Sequence, residues 1–120
     1  HAFILGIALS DADASASPLV VWDGAEHVIR ATFSAAFADH APETWKDIDV
    51  TDIYRSARRR VFETCPRRTL PLKTGEAVLM HRMAIHGISP WEGGAKATPM
   101  GRVIAYLRPR AEHRWWLTQA

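Results

Sequence analysis

The spacing of the apolar residues changes twice along this chain, and that change limits the fold more than any single motif. Near the start they come in unbroken runs, Ala2 to Leu9 and then Leu19-Val20-Val21-Trp22 after Pro18. Short apolar runs rich in β-branched and aromatic residues, closed by small polar residues, predict buried strands. The closing signals are Ser10-Asp11-Ala12-Asp13 after the first run and Asp23-Gly24 after the second. From Ala25 to Phe37 the pattern becomes helical, with Val28, Ala31, Thr32 and Ala35 at helical spacing. Ala41-Pro42-Glu43-Thr44 restarts the chain. A second helix is predicted from Thr51 to Glu63, with Val50, Ile53, Tyr54, Ala57 and Val61 forming one apolar face. Asp49 and Asp52 stand where a cap belongs, and Pro66 ends the segment.

Beyond Pro66 the strand pattern returns. Arg68 to Leu72 reads as a short strand and Lys73-Thr74-Gly75-Glu76 as a turn. Ala77 to Met80 is a further strand whose signal fades toward His86. Gly87 to Gly101, rich in Gly, Pro and Ala, reads as a long loop. Arg102 to Leu107 is the clearest strand, stopped by Pro109, and Trp115-Trp116-Leu117 reads as a last short one. The expected architecture is mainly β with a helical insertion at about 25–65, in a single domain over residues 1–120. Such an outline suits part of a double-stranded β-helix, a cupin-like jelly roll.

Composition narrows the function classes. The chain has 120 residues, 48% hydrophobic and 23% charged, with a net charge of +2. That charge is too small to call for nucleic acid or an anionic membrane. The apolar run at the start is too short to span a bilayer, so a soluble, cytoplasmic protein is expected. One cysteine, Cys65, makes no internal disulfide and reads as a small apolar residue at a helix end.

Six histidines are present, and no pair has the spacing of a helical metal motif. His81 and His86, read on one strand, would face opposite ways. The stretch from Lys73 to Trp91 gives His86 a context. A Gly75-Glu76 turn leads into the apolar run Ala77-Val78-Leu79-Met80, and then to His86-Gly87-Ile88-Ser89-Pro90-Trp91. This resembles the phytanoyl-CoA dioxygenase family of non-haem iron(II)/2-oxoglutarate oxygenases. The resemblance implies that His86 is the second histidine ligand of iron. Neutral imidazole suits iron(II), and Gly87 would let the backbone pass close to a metal.

The family also carries an arginine on the next strand, where it holds the distal carboxylate of 2-oxoglutarate. Arg102, opening Arg102-Val103-Ile104-Ala105-Tyr106-Leu107, matches that place, and a guanidinium fork suits a carboxylate. The step from His86 to Arg102 is longer than the family's, with Gly93-Gly94 available to absorb the excess. Ala2 to Arg30 resembles the family's strand, acidic loop and Pro-Leu-x-Val strand, but Ala25-Glu26-His27 departs from its Gly-Ser-His turn. His27 is therefore expected to shape the pocket and not to ligate. Trp22 and Trp91 are expected along the pocket or in the core.

The resemblance implies Fe(II) as cofactor, 2-oxoglutarate and O2 as cosubstrates, and hydroxylation of a small molecule. It also exposes a gap. The family's first ligands form a His-x-Asp pair ahead of the strand beginning at Ala2, and no His-x-Asp or His-x-Glu occurs here. That pair is expected to be encoded upstream. Two alternatives stay open: a non-catalytic cupin-like binding domain, and a phosphate- or nucleic-acid-binding module using the Arg55–Arg68 cluster. Arg55, Arg58, Arg59, Arg60, Arg67 and Arg68 crowd that span. The apolar face opposite them favours a solvated helix surface over nucleic acid. Substrate and oligomeric state are not legible.

Overall fold

The computed structural model describes residues 3–110. His1, the first residue of the Ala2–Leu9 run, His113 and the Trp115-Trp116-Leu117 segment lie outside the described residues. Six strands and two α-helices follow in the order β1 (Phe3–Ala8), β2 (Leu19–Trp22), α1 (Ala25–Phe37), α2 (Thr51–Thr64), β3 (Arg67–Leu70), β4 (Ala77–His81), β5 (His86–Ile88) and β6 (Ile104–Leu107). A 3-10 turn, Pro42–Asp47, joins the helices. The fold is thus mixed, with two small antiparallel sheets and helices inserted between β2 and β3. It is not a closed barrel.

Each sheet has three strands, in the orders β4-β1-β6 and β3-β2-β5. Alternation along β1 turns Ile4, Gly6 and Ala8 to one face, and all three are buried. Ile4 lies opposite Met80, and Gly6 lies between Val78 and Tyr106. Ile4 and Met80 pack with Leu19 of β2, and Val21, Leu70 and Ala84 surround them. The two sheets therefore meet face to face through this small core. Gly6 is required there, because a Cβ would lie 3.0 Å from the Tyr106 ring and 3.2 Å from the Val78 side chain.

The larger core lies on the other side of the β3-β2-β5 sheet. Ala25, Ile29, Phe33 and Phe37 form the buried stripe of α1, at successive intervals of four. Ala57 and Val61 of α2 meet them, with Met83 beneath. This corrects the stripe expected at Val28, Ala31, Thr32 and Ala35. Ala31 and Ala35 are exposed, since isoleucine and phenylalanine remove more apolar area from water than alanine does. Gly24 starts α1 with φ +80°, a conformation that costs glycine little. On α2 the N-cap is Val50, without a side-chain cap, and Asp49 just before it accepts the Thr51 N–H at 2.9 Å. Asp52 instead faces Arg55, 3.6 Å away on the exposed surface. Cys65 caps the end of α2, half-buried, as its sequence position suggested.

The region after Ala77 departs most from expectation. The chain does not run as one strand from Ala77 toward His86. It turns at Arg82-Met83, where the Ala84 N–H meets the His81 carbonyl at 2.9 Å. It then enters the other sheet as β5. Gly87 and Ile88, expected in a loop, pair with Val20 and Leu19. His81 and His86 consequently belong to different sheets.

Among the described residues, no helix is long and apolar enough to cross a membrane.

Candidate functional site

His86 opens β5 opposite Val21 of β2. In this sheet Val21 and Leu19 turn toward the other sheet, while Val20 and Trp22 turn toward the helices. Alternation gives His86 the strand phase of Val21, although His86 also lines the cavity on the helix side together with Ile85 and Gly87. One ring nitrogen is already engaged, with Nδ1 2.9 Å from the Ala84 carbonyl oxygen. A carbonyl only accepts, so Nδ1 carries the proton and donates. In the neutral ring Nε2 is then left with its lone pair free. A backbone carbonyl on the far nitrogen is the usual way a metal-binding imidazole is oriented.

Gly87 does less than its sequence context suggested. Its φ is not positive, and a Cβ there would sit 3.9 Å from Val20, an ordinary contact. A side chain would be accommodated on this strand, so the backbone does not demand glycine.

Arg102 lies just ahead of β6. The β1–β6 register continues past the strand end through the Leu9 N–H, which meets the Val103 carbonyl at 2.9 Å. The Ser10 hydroxyl then accepts the Val103 N–H at 2.8 Å and donates to the Gly101 carbonyl at 3.0 Å. Arg102 thus stands in a backbone segment tied to the end of β1, two residues before Ile104 opens β6. His86 lies on β5 of one sheet, and Arg102 lies just ahead of β6 of the other. They do not border a common cavity among those found in the described residues.

The side of the inter-sheet space near β5 and β6 is the less covered. Ile88 is 63% exposed and Tyr106 41%, although both have the phase of buried inter-sheet residues. The opposite side, at β3 and β4, is closed by Met80, Val78 and Leu70.

The other expected pocket residues separate. Trp22 lies on the helix side, with its ring 4.7 Å from that of Phe62. His27 is largely exposed and borders none of the described cavities, because it lies half a turn from the buried Ala25 and Ile29. Its nearest charge is Glu26, at 3.4 Å. Trp91 is exposed on the loop after β5, in a bridge with Ala16.

His81 was not singled out as a site residue, and its geometry gives it a structural task. Its Nδ1 accepts the Met83 N–H at 3.1 Å, so the neutral ring is protonated at Nε2. Arg30 Nη2 stands 3.5 Å from that nitrogen, a donor facing a donor. Burial first, and then the Arg30 charge, hold the His81 pKa below its usual value. The ring fastens the β4–β5 turn as a neutral group.

Of the arginine cluster, Arg55, Arg58, Arg59 and Arg60 are all exposed on α2. Arg68 pairs with Asp23, and Arg67 donates to Ser89 Oγ at 2.6 Å while lying 6.0 Å from the Trp22 ring. The cluster is therefore divided between a solvated helix face and the edge strand β3.

Among the described residues, no three His, Cys, Asp or Glu side chains gather into a metal-holding group. No family model, curated protein or solved structure matches the chain.

Proposed function

We propose that this chain is the C-terminal part of a cytoplasmic iron(II)/2-oxoglutarate oxygenase of the phytanoyl-CoA dioxygenase type, acting on a small molecule. The observation that carries the proposal is the state of His86. It has the strand phase of Val21 while also lining the helix-side cavity, its Nδ1 is tied to Ala84, and in the neutral ring its Nε2 carries a lone pair that can bind a metal. A chain that crosses repeatedly between two antiparallel sheets is also what a jelly roll requires. Here β1, β4 and β6 belong to one sheet and β2, β3 and β5 to the other. An eight-stranded jelly roll needs one more strand in each. The part-uncovered Ile88 and Tyr106 are consistent with those strands lying beyond β5 and β6.

His86 supplies one ligand and fits iron(II) by its neutral nitrogen donor. The other two would come from a His-x-Asp pair ahead of β1, as the resemblance implies. Bound iron with 2-oxoglutarate and O2 would supply the power to hydroxylate an unactivated C–H bond. The residues of this chain bind and orient. Ala84 fixes the His86 tautomer and ring angle. Arg102, just ahead of β6, offers a fork of N–H donors to the distal carboxylate of 2-oxoglutarate. Ile4, Leu19 and Met80 keep the adjoining inter-sheet core dry.

Two experiments test this reading. The coding sequence ahead of His1 should contain a His-x-Asp or His-x-Glu one or two strands upstream. In the gene product carrying this chain, Arg102→Ala should raise the KM for 2-oxoglutarate by about tenfold or more, the value of a lost charged hydrogen bond. An unchanged KM would remove Arg102 from the site, and an upstream sequence without the pair would remove the catalytic reading.

A further inference from the structure

The glycine at position 87 has no conformational cause. Its φ is not positive, and an added Cβ would lie 3.9 Å from the Val20 side chain, an ordinary contact. What glycine does there is leave space. Gly87 pairs with Val20, so a side chain at 87 would share the face of Val20. Both residues border a cavity of about 420 Å³ between the β3-β2-β5 sheet and the helices. His86, the proposed iron ligand, lines the same cavity. Much of the remaining wall is aromatic, with Trp22 and Phe62 tilted together at 4.7 Å and Phe33 beside them. Among the described residues no aspartate or glutamate borders it. Both arginines of the lining are already engaged. Arg58 lies 5.1 Å over the Phe62 ring on the exposed side of α2, and Arg82 has a partner of its own. Tyr54, partly exposed on α2, brings a phenol to the border.

We propose that this cavity is the substrate pocket of the His86 site, that it takes a compact, uncharged ring compound, and that Gly87 sets the size it admits. The proposal rests on the iron site for calling the occupant a substrate, and on the cavity alone for the occupant's chemistry. The volume lies toward the lower end of the range of about 300–1,000 Å³ typical of small-ligand sites, which suits about two fused rings and excludes long acyl chains. Flat rings pack offset or edge-on against tryptophan and phenylalanine. An anion would exchange its hydration for apolar walls and for arginines already committed, and a buried charge without its own partner is costly. A single hydroxyl or carbonyl is tolerated where it can turn to the Tyr54 phenol at the rim. Without a side chain at 87, such a ring can lie against the strand that carries His86.

The test titrates 2-naphthol into the iron-free gene product carrying this chain, with 2-naphthoate as the charged control. Calorimetry follows binding, and NMR follows the His86 ring and the Gly87 amide. The proposal predicts saturable binding of one 2-naphthol per chain, shifts at both residues, and 2-naphthoate at least about tenfold weaker. Gly87→Leu fills the space and should weaken 2-naphthol at least about tenfold in a variant that is folded by circular dichroism. Phe62→Ala, at a residue 45% exposed, should weaken it about three- to tenfold and serves as the test if the leucine variant does not fold. No saturable binding, binding that leaves His86 unshifted, 2-naphthoate bound as tightly, or a folded Gly87→Leu that binds like the parent would each overturn the proposal. Iron takes no part in the titration, so the two readings fail separately. Binding in a protein that gives no iron-dependent succinate would overturn the occupant's role as substrate, whereas iron-dependent succinate without 2-naphthol binding would overturn the pocket and leave the iron site standing.

Discussion

Replacing Val61 by alanine tests how the helical insertion is fastened to the sheets. Only Ala57 and Val61 are buried along the 14 residues of α2, and Val61 is 0% exposed. The rest of the helix is mostly charged or polar, so its hold on α1 depends on very few side chains. Valine to alanine removes two carbons, about 1.6 kcal/mol at roughly 0.8 kcal/mol per buried methylene. Incomplete collapse of the space adds about 1 kcal/mol. The expected loss is therefore about 2–3 kcal/mol, or roughly 10 °C in Tm for a chain of this length. Urea unfolding followed by circular dichroism measures it, with the midpoint falling and the slope unchanged. Arg59→Ala, on the exposed face of the same helix, should shift stability by less than about 0.5 kcal/mol. If Val61→Ala fell within that same margin, or if the two variants were equally damaging, the assigned orientation of α2 would be wrong.

Three further outcomes follow from the geometry. Gly6→Ala should cost about 1–2 kcal/mol, because the added methyl meets the Tyr106 ring and Val78 in the inter-sheet core; Gly87→Ala, with its nearest contact at 3.9 Å, should unfold within about 0.5 kcal/mol of the parent. His81 has a folded pKa below its unfolded value of 6.5. The unfolded chain thus takes up the proton first, and stability should fall as pH drops through 6.5 toward the lowered folded value. Arg30→Met removes a charge that lowers this pKa, so the His81 ring should titrate at higher pH by NMR, and an unmoved titration would contradict the assigned contact.

The elements bounded by strong punctuation were the legible ones. Leu19–Trp22 lies between Pro18 and Asp23-Gly24, and α1 begins right after that turn, so both were readable from local chemistry. The stripe of α1 was misread because small alanines repeat at helical spacing as regularly as Ile29, Phe33 and Phe37 do. Burial is decided by area, and that favoured the larger side chains. The β4–β5 crossover was missed because Ala77 to His86 contains no glycine or proline. The turn at Arg82-Met83 is held by the His81 ring, two residues away, and by tertiary burial of the Met83 side chain. The functional side chains followed the same division. His86 stood out through its neighbours in sequence, whereas its register opposite Val21 came only from strand pairing and its Ala84 partner from the local turn into β5. The cavity that His86 lines joins β2, α1, α2 and the β4–β5 turn, a juxtaposition no local pattern encodes.

The central claim rests on His86 as an iron ligand. The most direct test measures succinate formation from 2-oxoglutarate, with and without added Fe(II), in the gene product that contains this chain and in its His86→Ala variant. The variant gives up one hydrogen bond to Ala84, a loss of about 1 kcal/mol, so it should remain folded by circular dichroism. The account predicts iron-dependent succinate in the parent and none above background in the folded variant. Equal turnover in the two proteins would contradict it, and so would a parent protein that gives no iron-dependent succinate.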